Sequence, residues 1–258
     1  MIVMVCRYTI ILILISILSI TLYHHTTPHH TLPRVNLSDS LPDTQLLTSP
    51  GVCGDGGGDG VDILTLVHSA VENVEARENI RDSWGRDKTS LGIVSVVVFI
   101  LGVSNNATEQ QQLQQESLLH GDIVQGEFLD TYRNMSYKNL LGLHWVTLYC
   151  SKVKMIVKTD DDYFVDLYGI HHIAQELLAN PAFRNGSLLA CPMLVNSKVF
   201  RDFNDPYTGR WAISESELPP ARLSKWQKKG SKRDFYPTYC TGIHTSISCT
   251  TITDYMLS

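Results

Sequence analysis

Val153-Lys154-Met155-Ile156-Val157 runs directly into Lys158-Thr159-Asp160-Asp161-Asp162, and this junction decides the fold. An apolar run of strand length that stops at three carboxylates reads as a buried strand with a polar turn at its carboxyl end. In open α/β sheets, ligands bind beyond the carboxyl ends of the strands. Three adjacent carboxylates repel one another, a cost that a bound divalent cation offsets. Side chains alternate along extended backbone, so Asp160 and Asp162 point one way and Asp161 the other. That Asp-x-Asp pair suits a hard cation such as Mn²⁺ or Mg²⁺, which would also coordinate a diphosphate. Taken alone the triplet also reads as an acidic surface turn or a helix N-cap. Its place after a buried strand favours the ligand site.

The sequence on either side alternates between strand and helix signals. Residues 61–68 (VDILTLVH) form a short apolar run, and 93–101 (IVSVVVFIL) is almost continuously β-branched and apolar. A run apolar on both faces is expected of a central strand covered by helices. Residues 122–125 and 187–190 are further short strand candidates. Helices are expected over 72–84, 109–120, 132–149 and 167–178. In the third, Tyr137, Leu140, Leu141, His144, Trp145 and Leu148 recur at helical spacing and should pack on the sheet. The alternation predicts an α/β fold with a mostly parallel sheet and flanking helices.

Residues 2–22 are apolar apart from Arg7. As a helix they would span about 30 Å, the hydrocarbon thickness of a bilayer. No good small-x-small cleavage site follows, so residues 1–23 are read as an uncleaved signal-anchor transmembrane helix, with a cleaved signal peptide as the alternative and the rest of the chain lumenal or extracellular either way. Residues 24–60, with four prolines and a Gly-rich run from Gly51 to Gly60, have the composition of a flexible stem. The Gly run lacks a preceding strand and a lysine, which argues against a phosphate-binding loop. Asn36, Asn106, Asn134 and Asn185 each begin an Asn-x-Ser/Thr glycosylation triplet. Five of the six cysteines lie beyond the anchor, where disulfides persist, and the odd number leaves one over or paired between chains. The formal net charge of −5 provides no chain-wide basic field, so no nucleic-acid partner is expected.

Four motifs in order carry a family resemblance. Arg77-x-x-Ile80-Arg81-x-Ser83-Trp84-Gly85, the segment from Gly121 to Lys138, and Lys158-Thr159-Asp160-Asp161-Asp162-Tyr163-Phe164-Val165 resemble motifs of the β-1,3-galactosyltransferase and β-1,3-N-acetylglucosaminyltransferase family (hexosyltransferases, glycosyltransferase family 31). Arg222-x-Ser224-Lys225-Trp226, continued by Tyr236-Pro237-x-Tyr239-Cys240-x-Gly242, resembles the acceptor-side segment of that family. The resemblance implies a type II, single-pass Golgi membrane protein with a lumenal GT-A-like nucleotide-diphospho-sugar transferase domain, partial, over residues 61–242. It implies transfer of galactose or N-acetylglucosamine from a UDP-sugar to a glycan acceptor on glycoprotein or glycolipid, in β-1,3 linkage with inversion, using Mn²⁺ (or Mg²⁺). Oligomers with itself or with other transferases fit this class.

By the same resemblance Asp160 and Asp162 are the metal pair, and Arg77, Arg81, Lys138 and Asp161 lie on the donor side. For each arginine a surface or intradomain ion pair is an equal alternative, and Lys138 reads equally as an exposed helix residue. Trp84 is read as core, Asp130 as an N-cap of the following helix, and the cluster Lys225, Lys228, Lys229, Lys232 and Arg233 as a solvated loop. After Gly242 the family pattern continues through a further segment with a Glu-Asp-Val motif carrying its candidate base. That motif is absent from this sequence, and Asp254 does not match it. Residues 243–258 therefore read as a divergent tail of a chain truncated at its carboxyl end, with sheet edges left uncovered, and the catalytic base is unassigned. The alternative that follows is an inactive pseudoenzyme that binds donor or partner transferases.

Overall fold

The computed structural model describes residues 45–86, 92–179, 189–191, 193–195, 197–217, 235–236, 239–240 and 245–248. The expected anchor over 1–23, the triplets at Asn36 and Asn185, Asp254 and the basic cluster around Lys225 lie outside these residues. Among the described residues no helix is long and apolar enough to cross a membrane.

The sheet is built from β1 (Gln45–Leu47), β2 (Ile63–His68), β3 (Ser95–Val103), β4 (Ile123–Leu129), β5 (Met155–Asp160), β6 (Leu189–Ala190) and β9 (Thr245–Ser248), in the order β1-β4-β3-β2-β5-β9-β6. A separate hairpin-like pair joins β7 (Met193–Leu194) to β8 (Tyr239–Cys240). The inner strands β4, β3, β2 and β5 are mutually parallel. The helices are α1 (Val74–Asp82), α2 (Ala107–His120), α3 (Met135–Tyr149) and α4 (Leu167–Ala179). Parallel neighbours need crossover connections, and helices supply them here between β2, β3, β4 and β5. The mixed α/β architecture with its mostly parallel centre fits a GT-A-like domain.

Period-two alternation splits the core into two layers. Leu64 and Leu66 of β2 join Val98, Ile100, Ile156 and Trp145 under α3. Ile63 and Val67 face the other way, with Ile80, Phe99, Leu113 and Leu167 from β3 and the helices α1, α2 and α4. Trp84 is buried in this second layer, as read from the sequence.

Four expectations are corrected by the fold. First, the buried face of α3 is Lys138, Leu141, Gly142, Trp145 and Val146, whereas Tyr137 and Leu148 are exposed. Gly142 sets this rotation, because a Cβ there would stand 3.1 Å from Leu66 Cδ1 and 3.4 Å from Ile100 Cγ1. The missing side chain lets the helix lie close on β2 and β3. Second, residues 45–60 are not stem but part of the folded unit. Gln45–Leu47 pairs antiparallel with β4, and Ser49 Oγ donates to the Ile123 carbonyl at 2.8 Å. A Cys53–Cys150 disulfide ties the Gly-rich turns to the end of α3. Gly58, at φ +86°, packs where a Cβ would collide with Val153.

Third, the tail contributes β9, which fills the outer edge of β5 in antiparallel register, Ile156 opposite Ile247 and Lys158 opposite Thr245. β1 does the same for β4, so antiparallel strands cover both sides of the parallel centre. Fourth, Asp130 is no helix cap. Its Oδ2 accepts the Gly102 N–H at 2.8 Å and its Oδ1 pairs with Lys138 Nζ at 2.6 Å.

Candidate functional site

The carboxyl ends of β2 and β5 meet in register, with His68 directly opposite Asp160. The chain then leaves β5 through the acidic turn, where the Asp161 N–H donates to the His68 carbonyl at 3.1 Å. Asp160 and Asp161 go to opposite sides of the sheet, as the alternation predicts. Asp160 faces the α3 side, with Lys158 Nζ 2.9 Å and His68 Nδ1 3.9 Å from its Oδ1. Asp161 faces the α1 side, where its Oδ2 accepts from Ser69 Oγ at 2.7 Å and from Asn73 Nδ2 at 2.9 Å. Asp162 is exposed on the turn.

Behind Asp161 lies a buried relay. Ser69 Oγ accepts from Arg77 Nη1 at 2.9 Å while donating to Asp161. Arg77 is fully buried, and its Nε and Nη2 form a forked pair with Glu116 at 2.8 and 2.7 Å. Its remaining N–H groups go to the Ala70 and Val71 carbonyls. All five donors of the guanidinium are thus used inside the protein. Arg77 therefore positions Asp161 through Ser69 and has no free donor for a ligand. Arg81 also binds Glu116 at 2.8 Å, and it grips Asp122 through Nε and Nη2 at 2.8 and 2.9 Å. Asp122 precedes β4, at the opposite end of that strand from Asp130, so Arg81 braces the fold away from the acidic turn. Its guanidinium also lies 4.8 Å over the Phe99 ring, a cation–π contact. Both arginines thus form intradomain ion pairs.

Lys138 is likewise drawn inside. Its Nζ donates to the Ser69 carbonyl and to Asp130 at 2.6 Å each, tying α3 to the ends of β2 and β4. Burial costs Glu116 part of its charge stabilisation, but the hydrogen bonds and positive charge of Arg77 and Arg81 outweigh it and hold its carboxyl below the usual range. His68 is pushed well below its ordinary 6.5, first by burial and then by the charges of Lys158 and Lys138, so the imidazole is neutral at pH 7.

An exposed carboxylate on Asp162 and a half-buried one on Asp160 are the hard oxygen donors available here to a cation. Among the described residues no three His, Cys, Asp or Glu side chains converge as a closed metal cage. A largely apolar depression of about 200 Å³, lined by Trp84, Ile93, Phe164 and Leu167 among others, lies beside the turn. Of the glycosylation triplets, Asn106 is exposed and caps α2 through Oδ1 to the Thr108 N–H. Asn134 donates its Nδ2 to the Leu129 carbonyl at 2.8 Å.

His68, Ser69, Asn73 and Glu116 were not among the residues singled out from the sequence. A polar His-Ser pair at the end of an apolar strand was the available signal for the first two. Glu116, in a Gln-rich helix, carried none.

Comparison with known proteins matches residues 75–254 to the family model described as Galactosyltransferase, a span that runs past Gly242 into the segment bearing β9. β-1,3-Galactosyltransferase 5 of Gorilla gorilla gorilla is 30% identical over 202 residues, 78% of this chain and 57% of the relative. The Homo sapiens protein of the same name is 29% identical over 202 residues, 78% of this chain and 55% of its own. β-1,3-Galactosyltransferase 1 of Mus musculus is 30% identical over 159 residues, 61% of this chain and 48% of its own. The chain thus spans roughly half the length of the curated relatives it matches. With the family match covering most of the sequence and a GT-A-like fold beneath it, the chain belongs to the galactosyltransferase family.

Proposed function

We propose that the protein transfers a hexose, galactose or N-acetylglucosamine, from a UDP-sugar to a glycan acceptor on glycoprotein or glycolipid, forming a β-1,3 linkage with inversion. The observation that carries this reading is the acidic turn at the carboxyl end of β5, with Asp161 held by Ser69 and Asn73 and Asp162 left exposed. The names of the relatives support galactose as the first sugar to test. Asp160 and Asp162 would hold Mn²⁺ (or Mg²⁺). The ion, when bound, neutralises charge that develops on the departing diphosphate.

The protein's own residues do the positioning. Asp161, fixed on one oxygen by two donors, keeps its other oxygen for a ligand hydroxyl, and the Glu116–Arg77–Ser69 relay keeps it there. Lys138 and Asp130 lock the ends of β2, β3 and β4 against α3, so the floor of the site is rigid. The setting we propose is the lumen of the Golgi, with the chain anchored through residues 1–23 as a type II protein.

Calorimetry of UDP with and without Mn²⁺, followed by sugar transfer from UDP-galactose to simple glycan acceptors, tests the reading. Metal-dependent UDP binding and transfer, both lost in Asp162→Ala, are the expected results. Binding without transfer would replace the enzyme by a donor-binding pseudoenzyme. An absence of UDP affinity would refute both.

A further inference from the structure

We propose that Asn73 is a positioning residue for the sugar-nucleotide donor: it forgoes the cap of α1 and locks the Asp161 carboxylate with one oxygen left for a donor hydroxyl. This deepens the UDP-sugar reading above and rests on it. Asn73 occupies the N-cap position of α1. Asn is among the most favoured residues there, because its side-chain oxygen can accept an N–H of the first turn. Yet the Asn73 side chain makes no capping bond. Its Nδ2 donates instead to Asp161 Oδ2 at 2.9 Å, on a residue 88 positions downstream. At α2 the same residue type does cap, Asn106 Oδ1 accepting the Thr108 N–H at 3.0 Å. Departures from a local preference of this kind are expected at functional sites.

The groups around Asp161 permit one arrangement. Arg77 can only donate, so Ser69 Oγ accepts from its Nη1 at 2.9 Å and keeps a single proton for another acceptor. The Asp161 carboxylate at 2.7 Å is nearer than the Ala70 carbonyl at 3.3 Å, so that proton goes to Asp161. Asn73 meets the same Oδ2, and only its NH₂ end can face a carboxylate. Both side-chain donors thus fall on Oδ2, and Oδ1 has no partner among the described residues. The last side-chain torsion of Asp is broad, so one donor alone would let the carboxylate turn. Two donors converging on one oxygen, with the backbone N–H held by the His68 carbonyl, prevent it. An O–H given to an ionised oxygen is a strong bond, and the ribose and hexose of a sugar nucleotide both offer one.

Asn73→Ser separates positioning from capping, because Ser caps a helix as well as Asn does but its shorter side chain does not reach Asp161. Calorimetry of the full chain with UDP and with UDP-galactose, Mn²⁺ present, should show donor affinity about tenfold weaker in Asn73→Ser. The Tm of the variant should stay within about 4 °C of wild type, since a gained cap offsets the lost bond. A loss already seen with UDP assigns the hydroxyl to ribose, and a loss confined to UDP-galactose assigns it to the hexose. In an Asp161→Ala background, where no carboxylate remains to be positioned, Asn73→Ser should change affinity less than about twofold. Unchanged affinity in Asn73→Ser, or a tenfold loss that persists without the Asp161 carboxylate, would overturn the assignment. A larger fall in Tm would make Asn73 a support of the fold and overturn it too. No affinity of the wild type for either nucleotide would refute the donor reading itself, a result seen before any variant is compared.

Discussion

Replacing Glu116 with Gln tests the buried relay that carries the acidic turn. The substitution keeps the side-chain shape and removes the charge opposite Arg77, which has no exposure to water. Breaking one side of a buried ion pair costs about 3–5 kcal/mol, because the other charge stays buried and uncompensated. Three structural details set the value at the lower end. The amide oxygen can still accept one of the two bonds at 2.7–2.8 Å, Arg77 keeps the Ser69, Ala70 and Val71 oxygens, and Arg81 keeps its forked grip on Asp122. A loss of about 3 kcal/mol is therefore expected. For a domain of this size each kcal/mol shifts Tm by about 2–4 °C, so Tm should fall by about 6–12 °C. Far-UV circular dichroism on heating, under oxidising conditions, reads this directly. Asp122→Asn is the internal comparison, since Asp122 is more exposed and Arg81 retains Glu116, and it should cost about 1 kcal/mol. A Tm within about 2 °C of wild type for Glu116→Gln would refute the claim that Arg77 depends on Glu116 for its burial.

Acid should act on the same pair. Glu116 titrates below its ordinary 4.5 in the folded state, so the unfolded chain takes up the proton first on acidification. Its contribution is complete above about pH 4.5 and is lost as pH falls through the lower folded value, so urea midpoints between pH 6 and pH 3 should fall less steeply in Glu116→Gln than in wild type. Removing the Cys53–Cys150 bridge by a double Cys→Ser change frees a sequence separation of 97 residues and should cost about 2–5 kcal/mol, measured as a drop in the denaturant midpoint under oxidising conditions. Gly58→Ala should destabilise by about 1–3 kcal/mol, since it adds a collision with Val153 to a left-handed φ, whereas Gly54→Ala, with open space around it, should cost about 1 kcal/mol. Equal and negligible effects of both glycine changes on Tm would mean that the Gly-rich turns do not pack.

The parallel centre of the fold was legible because buried strands write their burial into sequence. β3 is apolar on both faces, and β5 ends abruptly at carboxylates. The acidic turn and its alternation followed from that end alone. The misreadings share a cause, which is that tertiary partners reverse a local signal. Lys138 and Gly142 were left out of the apolar face of α3, yet both are buried, one because Asp130 and Ser69 satisfy its ammonium and the other because the sheet leaves no room for a side chain. Gly-rich residues 51–60 have linker composition, but a distant cysteine and Val153 fix them. Arg77 and Arg81 left a ligand and an ion pair equally open, and the carboxylates they pair with, Glu116 and Asp122, lie more than thirty residues downstream. No local pattern announces such a partner.

The pairing of β5 with β9 has a consequence in time. β5 and β9 lie nearly ninety residues apart, with Lys158 opposite Thr245. At a synthesis rate of about 5–20 residues per second, the outer edge of β5 stays open for some 5–20 seconds after the acidic turn has been made. During that interval the strand beneath the site offers unpaired N–H and C=O groups to any other extended chain nearby. The nascent protein therefore has a defined window in which one particular edge is open to mispairing, and it closes when β9 docks.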